Sequence, residues 1–138
     1  EAKAPRFYQH LQRQLGLVAL DLGFEDISMA SLQEAISFNP NDLASRHALS
    51  QAYLKSDLQE KAIESAQTAL QLAPTDTNNV LWFSKFMQAN QRPHDAIQAL
   101  KDAIYLRPEE QILHLSLARV YLAHNALDES KITLSKML

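Results

Sequence analysis

The chain has 138 residues, 46% of them hydrophobic and 21% charged, with two glycines, five prolines, no cysteine and a net charge of −3. That size and apolar content support one domain with a core rather than a disordered segment, and so few glycines argue against a sandwich or barrel built from tight turns. The lack of cysteine excludes disulfides, thiolate catalysis and cysteine-ligated zinc, the lack of a basic stripe argues against nucleic acid as the main partner, and no apolar run approaches the roughly 20 residues that a membrane-spanning helix needs.

Residues 1–8 hold a lead-in and the start of the first helix, with Pro5 suited to a first turn, where its missing N–H has no partner to lose. A helix is predicted over 6–22. Its residues Phe7, Leu11, Leu15, Val18, Ala19 and Leu22 recur at three- and four-residue spacing and are expected to form its buried face. Gly23 ends this helix, and Asp26 is expected to cap a second over 27–38, which Asn39-Pro40-Asn41 stops. The same pair then follows three more times. Asp42 caps a helix over 43–55, and Asp57 with Glu60 has the form of a capping box before a helix over 58–73. Helices are predicted over 77–89 and 93–107, with Pro93 in a first turn. The last two cover 109–124 and 126–138, with Asn125 and Asp128 in the capping slots.

One interval governs this succession. Ala35-x4-Pro40 returns 34 residues later as Ala69-x4-Pro74 and again as Ala103-x4-Pro108. A single hairpin cannot close a core, so consecutive hairpins must stack. Ala62, Ala66, Ala69, Ala96, Ala99 and Ala103 are expected to let backbones approach, with Tyr53, Phe83, Met87, Leu117 and Tyr121 filling the space between them. The expected architecture is all-α, a right-handed α-solenoid (superhelix) of about four helix-turn-helix units with a concave inner face.

These residues resemble the tetratricopeptide repeat family. Leu49, Ser50, Tyr53, Ala62, Ala66, Ala69 and Pro74 fall on its leucine, glycine, tyrosine, alanine, aromatic, alanine and proline slots, with Ser50 and Ala66 departing from the family's residue types. Phe83, Ser84, Met87, Ala96, Leu100, Ala103 and Pro108 follow in the third repeat, and Leu117, Ala118, Tyr121 and Leu134 in the fourth. The first repeat matches through Leu15, Gly16, Ala35 and Pro40 but has Ala19 in the tyrosine slot and Ser28 in the first alanine slot, and the tryptophan slot is unmatched, holding Gln12, Arg46, Val80 and His114. The resemblance covers residues 9–138 as repeats of about 9–42, 43–76, 77–110 and 111–138. It implies a scaffold that binds a peptide or protein, and it implies no reaction.

In such hairpins the first helices line the concave surface, and helical geometry places there Arg13 and Leu17, then His47, Gln51 and Lys55, then Asn78, Leu81, Trp82 and Lys85, then Leu115 and Arg119. His10, Asp21, Ala44, Leu54, Ile112 and Leu122 lie on the same faces. With four cations against Asp21, this groove is expected to be basic and partly apolar, and to suit a segment carrying carboxylates and large apolar side chains. Against that stands the reading of each cation as ordinary solvated surface and of Trp82 as packing between repeats. Some members of the family clamp a chaperone's terminal carboxylate with lysine and asparagine. The corresponding sets here, Arg13, Leu17, Ala48, Asn78 and Trp82, or His47, Gln51, Trp82, Ile112 and Ser116, do not form that clamp.

No catalytic site, cofactor or metal is expected. His10, His47, His94, His114 and His124 are scattered and expected at the surface, two glycines cannot build a phosphate loop, and no serine has a nucleophile-elbow context. Glu109 and Glu110 read as helix-start residues. The chain begins with Glu1 and its last repeat lacks a closing proline and a polar capping helix, so an excised piece of a longer protein is expected. With Ile132, Leu134, Met137 and Leu138 near an uncovered end, self-association is a further expectation. Two alternatives to the adaptor remain, a self-assembly scaffold and the recruiting arm of an enzyme such as a glycosyl- or sulfotransferase. No compartment is indicated.

Overall fold

The computed structural model describes residues 5–137, and everything below concerns them. Eight helices and no strand occur among these residues: α1 (Pro5–Leu22), α2 (Glu25–Phe38), α3 (Leu43–Lys55), α4 (Gln59–Leu72), α5 (Thr77–Ala89), α6 (Pro93–Leu106), α7 (Gln111–Ala123) and α8 (Leu127–Ser135). They pair in sequence as four hairpins. The chain divides into two compact units, Glu1–Leu72 and Ala73–Leu138. In the first unit α3 packs on both α2 and α1; in the second α7 packs on both α6 and α5.

Small residues set the crossing inside each hairpin. Gly16, Ser50, Ser84 and Ala118 on the first helices and Ser28, Ala62, Ala96 and Ser130 on the second are all buried. A side chain on Gly16 would place its Cβ 2.6 Å from Leu32 Cγ, so α1 and α2 meet backbone to side chain there. The serine in the first alanine slot costs nothing in unsatisfied polarity. Ser28 Oγ donates to the Gly16 carbonyl at 2.8 Å, and Ser130 Oγ, its counterpart in the last hairpin, donates to the Ala118 carbonyl at 3.0 Å. The predicted fillers Phe83, Met87 and Leu117 are buried, while Tyr53 and Tyr121 are half-buried.

The turn inside each hairpin repeats as strictly as the prolines. Gly23, Asp57, Gln91 and Asn125, one 34-residue interval apart, are the residues with positive φ, at 86°, 61°, 62° and 60°. After each, a backbone N–H reaches back five residues: Phe24 to Ala19, Leu58 to Tyr53, Arg92 to Met87 and Ala126 to Tyr121, at 2.8–2.9 Å. This is the Schellman closure of a helix end. It corrects the expected caps. Asp57 and Asn125 terminate α3 and α7 in left-handed geometry instead of opening the next helix. Asp26 lies within α2, whose N-cap Phe24 makes no side-chain cap bond, and Ala126 caps α8 without a side-chain bond. Several ends shift by a residue or two accordingly: α7 starts at Gln111 and α8 spans Leu127–Ser135. Gln91 is the residue least suited to left-handed φ among the four, so Gln91→Gly is expected to raise stability by about 0.5 kcal/mol, the relieved strain exceeding the added freedom of the unfolded chain. A thermal melt in which the variant unfolds earlier would contradict this.

Between hairpins, Asp42 and Asp76 cap α3 and α5 as acceptors from Ser45 N and Asn79 N. The expected buried face of α1 is corrected as well. Phe7, Leu11, Leu15, Val18 and Leu22 are 48–66% exposed; of the expected face only Ala19 is buried, together with Gly16 and Leu20. Both stripes have helical spacing, and the narrower one of small residues wins because only it permits the close approach to Leu32.

Candidate functional site

In the first unit, Leu17 packs against the core cluster of Leu20, Leu32, Ala48, Leu49 and Ala52. Arg13 is engaged within the protein. Its Nη1 donates to both carboxylate oxygens of Asp42 at 3.1 Å, and its Nη2 lies 3.2 Å from His10 Nδ1. The Asp42 side chain is only 3% exposed, and also accepts from Ser45 N, Ser45 Oγ and Gln9 Nε2. An ion that buried requires such partners. Lys55 Nζ approaches the Leu20 carbonyl at 3.4 Å, near the negative end of α1. His47 is half-buried and Gln51 exposed.

The second unit presents a different surface. On α5, Asn78 and Lys85 are exposed and Leu81 and Trp82 are half-buried; on α7, Leu115 and Arg119 are exposed. Trp82 stacks on the buried Phe86 one turn later, with ring centroids 4.9 Å apart and planes 15° from parallel. Lys85 and Arg119 occupy the same slot of successive first helices, and neither has an acidic partner within 4 Å among the described residues. The four cations expected in one groove therefore divide: Arg13 and Lys55 are engaged within their own unit, while Lys85 and Arg119 are exposed and make no ion pair among the described residues.

One further side chain departs from expectation. His114 is buried, at 7% exposure, and its Nε2 lies 2.9 Å from the Pro108 carbonyl. A carbonyl only accepts, so Nε2 carries the proton. Occupying the large-aromatic slot of α7 draws this histidine inside, and the same slot is the sequence signal that points to burial. Glu110 accepts from Thr77 Oγ1 at 2.8 Å, tying the starts of α5 and α7 together. Among the described residues no group of three or more histidine, aspartate or glutamate side chains could hold a metal ion, and no helix is long and apolar enough to cross a membrane. Leu138 lies outside the described residues; Ile132 and Leu134 are exposed and Met137 is half-buried.

Comparison with known proteins agrees with this architecture. A family model described as Tetratricopeptide repeat matches residues 43–76, the span of α3 and α4. Cellulose synthase operon protein C of Escherichia coli strain K12 is 36% identical over 72 residues, which is 52% of this chain and 6% of that protein, and the putative protein of the same name from strain O157:H7 matches equally. The chain thus spans a small part of the curated relatives it matches. Among solved structures, Pseudomonas aeruginosa PilF superposes with a TM-score of 0.71 at 22% identity, covering 99% of this chain and 62% of that one. MamA superposes with a TM-score of 0.66 at 20% identity, covering 94% and 71%. The likeness shows the fold, an all-helical α-solenoid of hairpin repeats.

Proposed function

The chain belongs to the tetratricopeptide repeat family, and from that premise we propose that it is a scaffold that holds a partner's peptide segment on its first helices. Repeats of this family typically mediate protein–protein interaction. The observation that carries the finer reading is the pair Lys85 and Arg119, exposed and without acidic partners one repeat apart, beside the stacked Trp82. Two cations next to a tryptophan suit a segment in which carboxylates alternate with large apolar side chains, the charges supplying orientation and the ring a contact area typical of hot spots. In the first unit Arg13, Leu17, His47, Gln51 and Lys55 form a separate candidate face that offers shape and polar contacts, since the positive charge of Arg13 is already matched by Asp42. No reaction, cofactor or metal is assigned, and we take the chain as four repeats of a longer protein.

Affinity capture with the chain, followed by titration of the captured partner's segment, tests the site. Lys85→Glu/Arg119→Glu is expected to weaken binding about tenfold or more, since two attractive exposed pairs become repulsive. Unchanged affinity would refute the assignment.

Two other readings each have an observation in their favour. The exposed stripe Phe7, Leu11, Leu15, Val18 and Leu22 favours self-association through α1. If it operates, sedimentation should show oligomers that Leu11→Glu/Val18→Glu converts to monomer, and a monomer at high concentration for the unaltered chain would remove it. The name of the Escherichia coli relative, which ties that protein to a cellulose synthase operon, favours a recruiting arm that serves a polysaccharide-forming enzyme.

A further inference from the structure

The second unit holds another concavity, on the side of its second helices. A cleft of about 400 Å³ opens between α6, α7 and α8. Its floor is apolar and built in: Leu117 and His114 are buried and Tyr121 is half-buried. Its lips are apolar but wet, with Tyr105 85% and Ile132 55% exposed. Lys101 and Lys136 stand at the margin with Glu129, and none of the three takes part in an ion pair among the described residues.

The equivalent tyrosine of the first unit has partners. There Tyr53, two repeat lengths before Tyr121, accepts a hydrogen bond from Gln33 Nε2 at 2.9 Å, and Lys61 Nζ lies 5.9 Å from its ring centre. In the second unit those two positions are Lys101 and Glu129, and no hydrogen bond to the Tyr121 hydroxyl is made within the described residues. The glutamine partner has been exchanged for a cation, and the Tyr121 phenol makes no such bond.

We propose that this cleft is a second binding site, which takes a large apolar side chain of a partner protein with a carboxylate beside it. A small molecule on the floor would leave Tyr105 and Ile132 in water, whereas a helix or extended segment laid along the cleft covers both lips. A net excess of one lysine selects an acidic neighbour over a basic one, and exposed tyrosine is the residue type enriched at such contacts. The site uses α6, α8 and His114, Leu117 and Tyr121 of α7, and none of the residues assigned to the first-helix face, so either can fail without the other.

The test uses the full isotope-labelled chain and two amphipathic peptides of about 12 residues, long enough for three helical turns, one with glutamates flanking a leucine–phenylalanine stripe and one with lysines. The glutamate peptide is expected to shift the resonances of Tyr105, Leu117, Tyr121 and Ile132 saturably, and the lysine peptide is not. Lys101→Glu/Lys136→Glu, both at exposed positions, is expected to weaken the glutamate peptide about tenfold and to admit the lysine peptide. Shifts confined to α5 and to Leu115 and Arg119 of α7, equal response to both peptides, or saturation of these resonances by 4-phenylbutyrate but not by the peptide would each overturn the proposal.

Discussion

Asp42→Ala is expected to lower the unfolding free energy by about 3 kcal/mol. The carboxylate is buried and performs three tasks at once: it caps α3 through Ser45 N, accepts from Ser45 Oγ at 2.7 Å, and binds Arg13 and Gln9 from α1. Loss of an N-cap costs about 1 kcal/mol, and loss of charge-assisted bonds in a buried place costs about 2 more. Asp42→Asn keeps a capping oxygen and gives up the charge, so it should lose roughly half as much. Arg13→Ala should cost about 1 kcal/mol, because the aspartate retains its capping contacts. Urea denaturation gives the total, and amide exchange in α1 and α3 locates it. An alanine variant within about 0.5 kcal/mol of the parent would mean that the α1–α3 link contributes nothing in solution.

The second large effect concerns the closest helix approach. Leu32→Ala removes a fully buried side chain and should cost about 3 kcal/mol. Gly16→Ala adds a Cβ 2.6 Å from Leu32 Cγ and 2.7 Å from its Cδ2. Although alanine is the better helix former by about 1 kcal/mol, the overlap should outweigh this and leave a net loss of about 1–2 kcal/mol. The double variant is expected to be no less stable than Leu32→Ala alone. Once the leucine is gone, the new methyl occupies the vacated space and the helix preference is expressed. A coupling of about 2 kcal/mol in this cycle marks direct contact; strict additivity would show that α1 and α2 do not meet there.

Where the sequence speaks through spacing, the structure follows it. Pro40, Pro74 and Pro108 with Ala35, Ala69 and Ala103 announce the repeat, and Val80, Phe83, Ser84 and Met87 are buried together on α5 as their periodicity requires. The left-handed turns follow the same interval but leave no equally plain trace, since Gly23, Asp57, Gln91 and Asn125 share a backbone conformation and not a side chain. Asp57 followed by Glu60 even imitates a capping box. The candidate face was legible in part. Helical phase puts Trp82, Lys85 and Arg119 at the surface or near it, yet nothing in the sequence says that Arg13 is engaged by Asp42, 29 positions away.

What the sequence alone determined is the succession of helices and their interval, because proline, small residues and apolar spacing act locally on a backbone that has few choices. Which stripe of α1 is buried, which cations remain available and where a cleft opens were decided by packing. Those outcomes depend on how near two helices can come, and on which charges meet across that distance. At Gly16 and Leu32 the approach selects the narrow stripe, and at Arg13 and Asp42 it removes a cation from the surface a ligand would see.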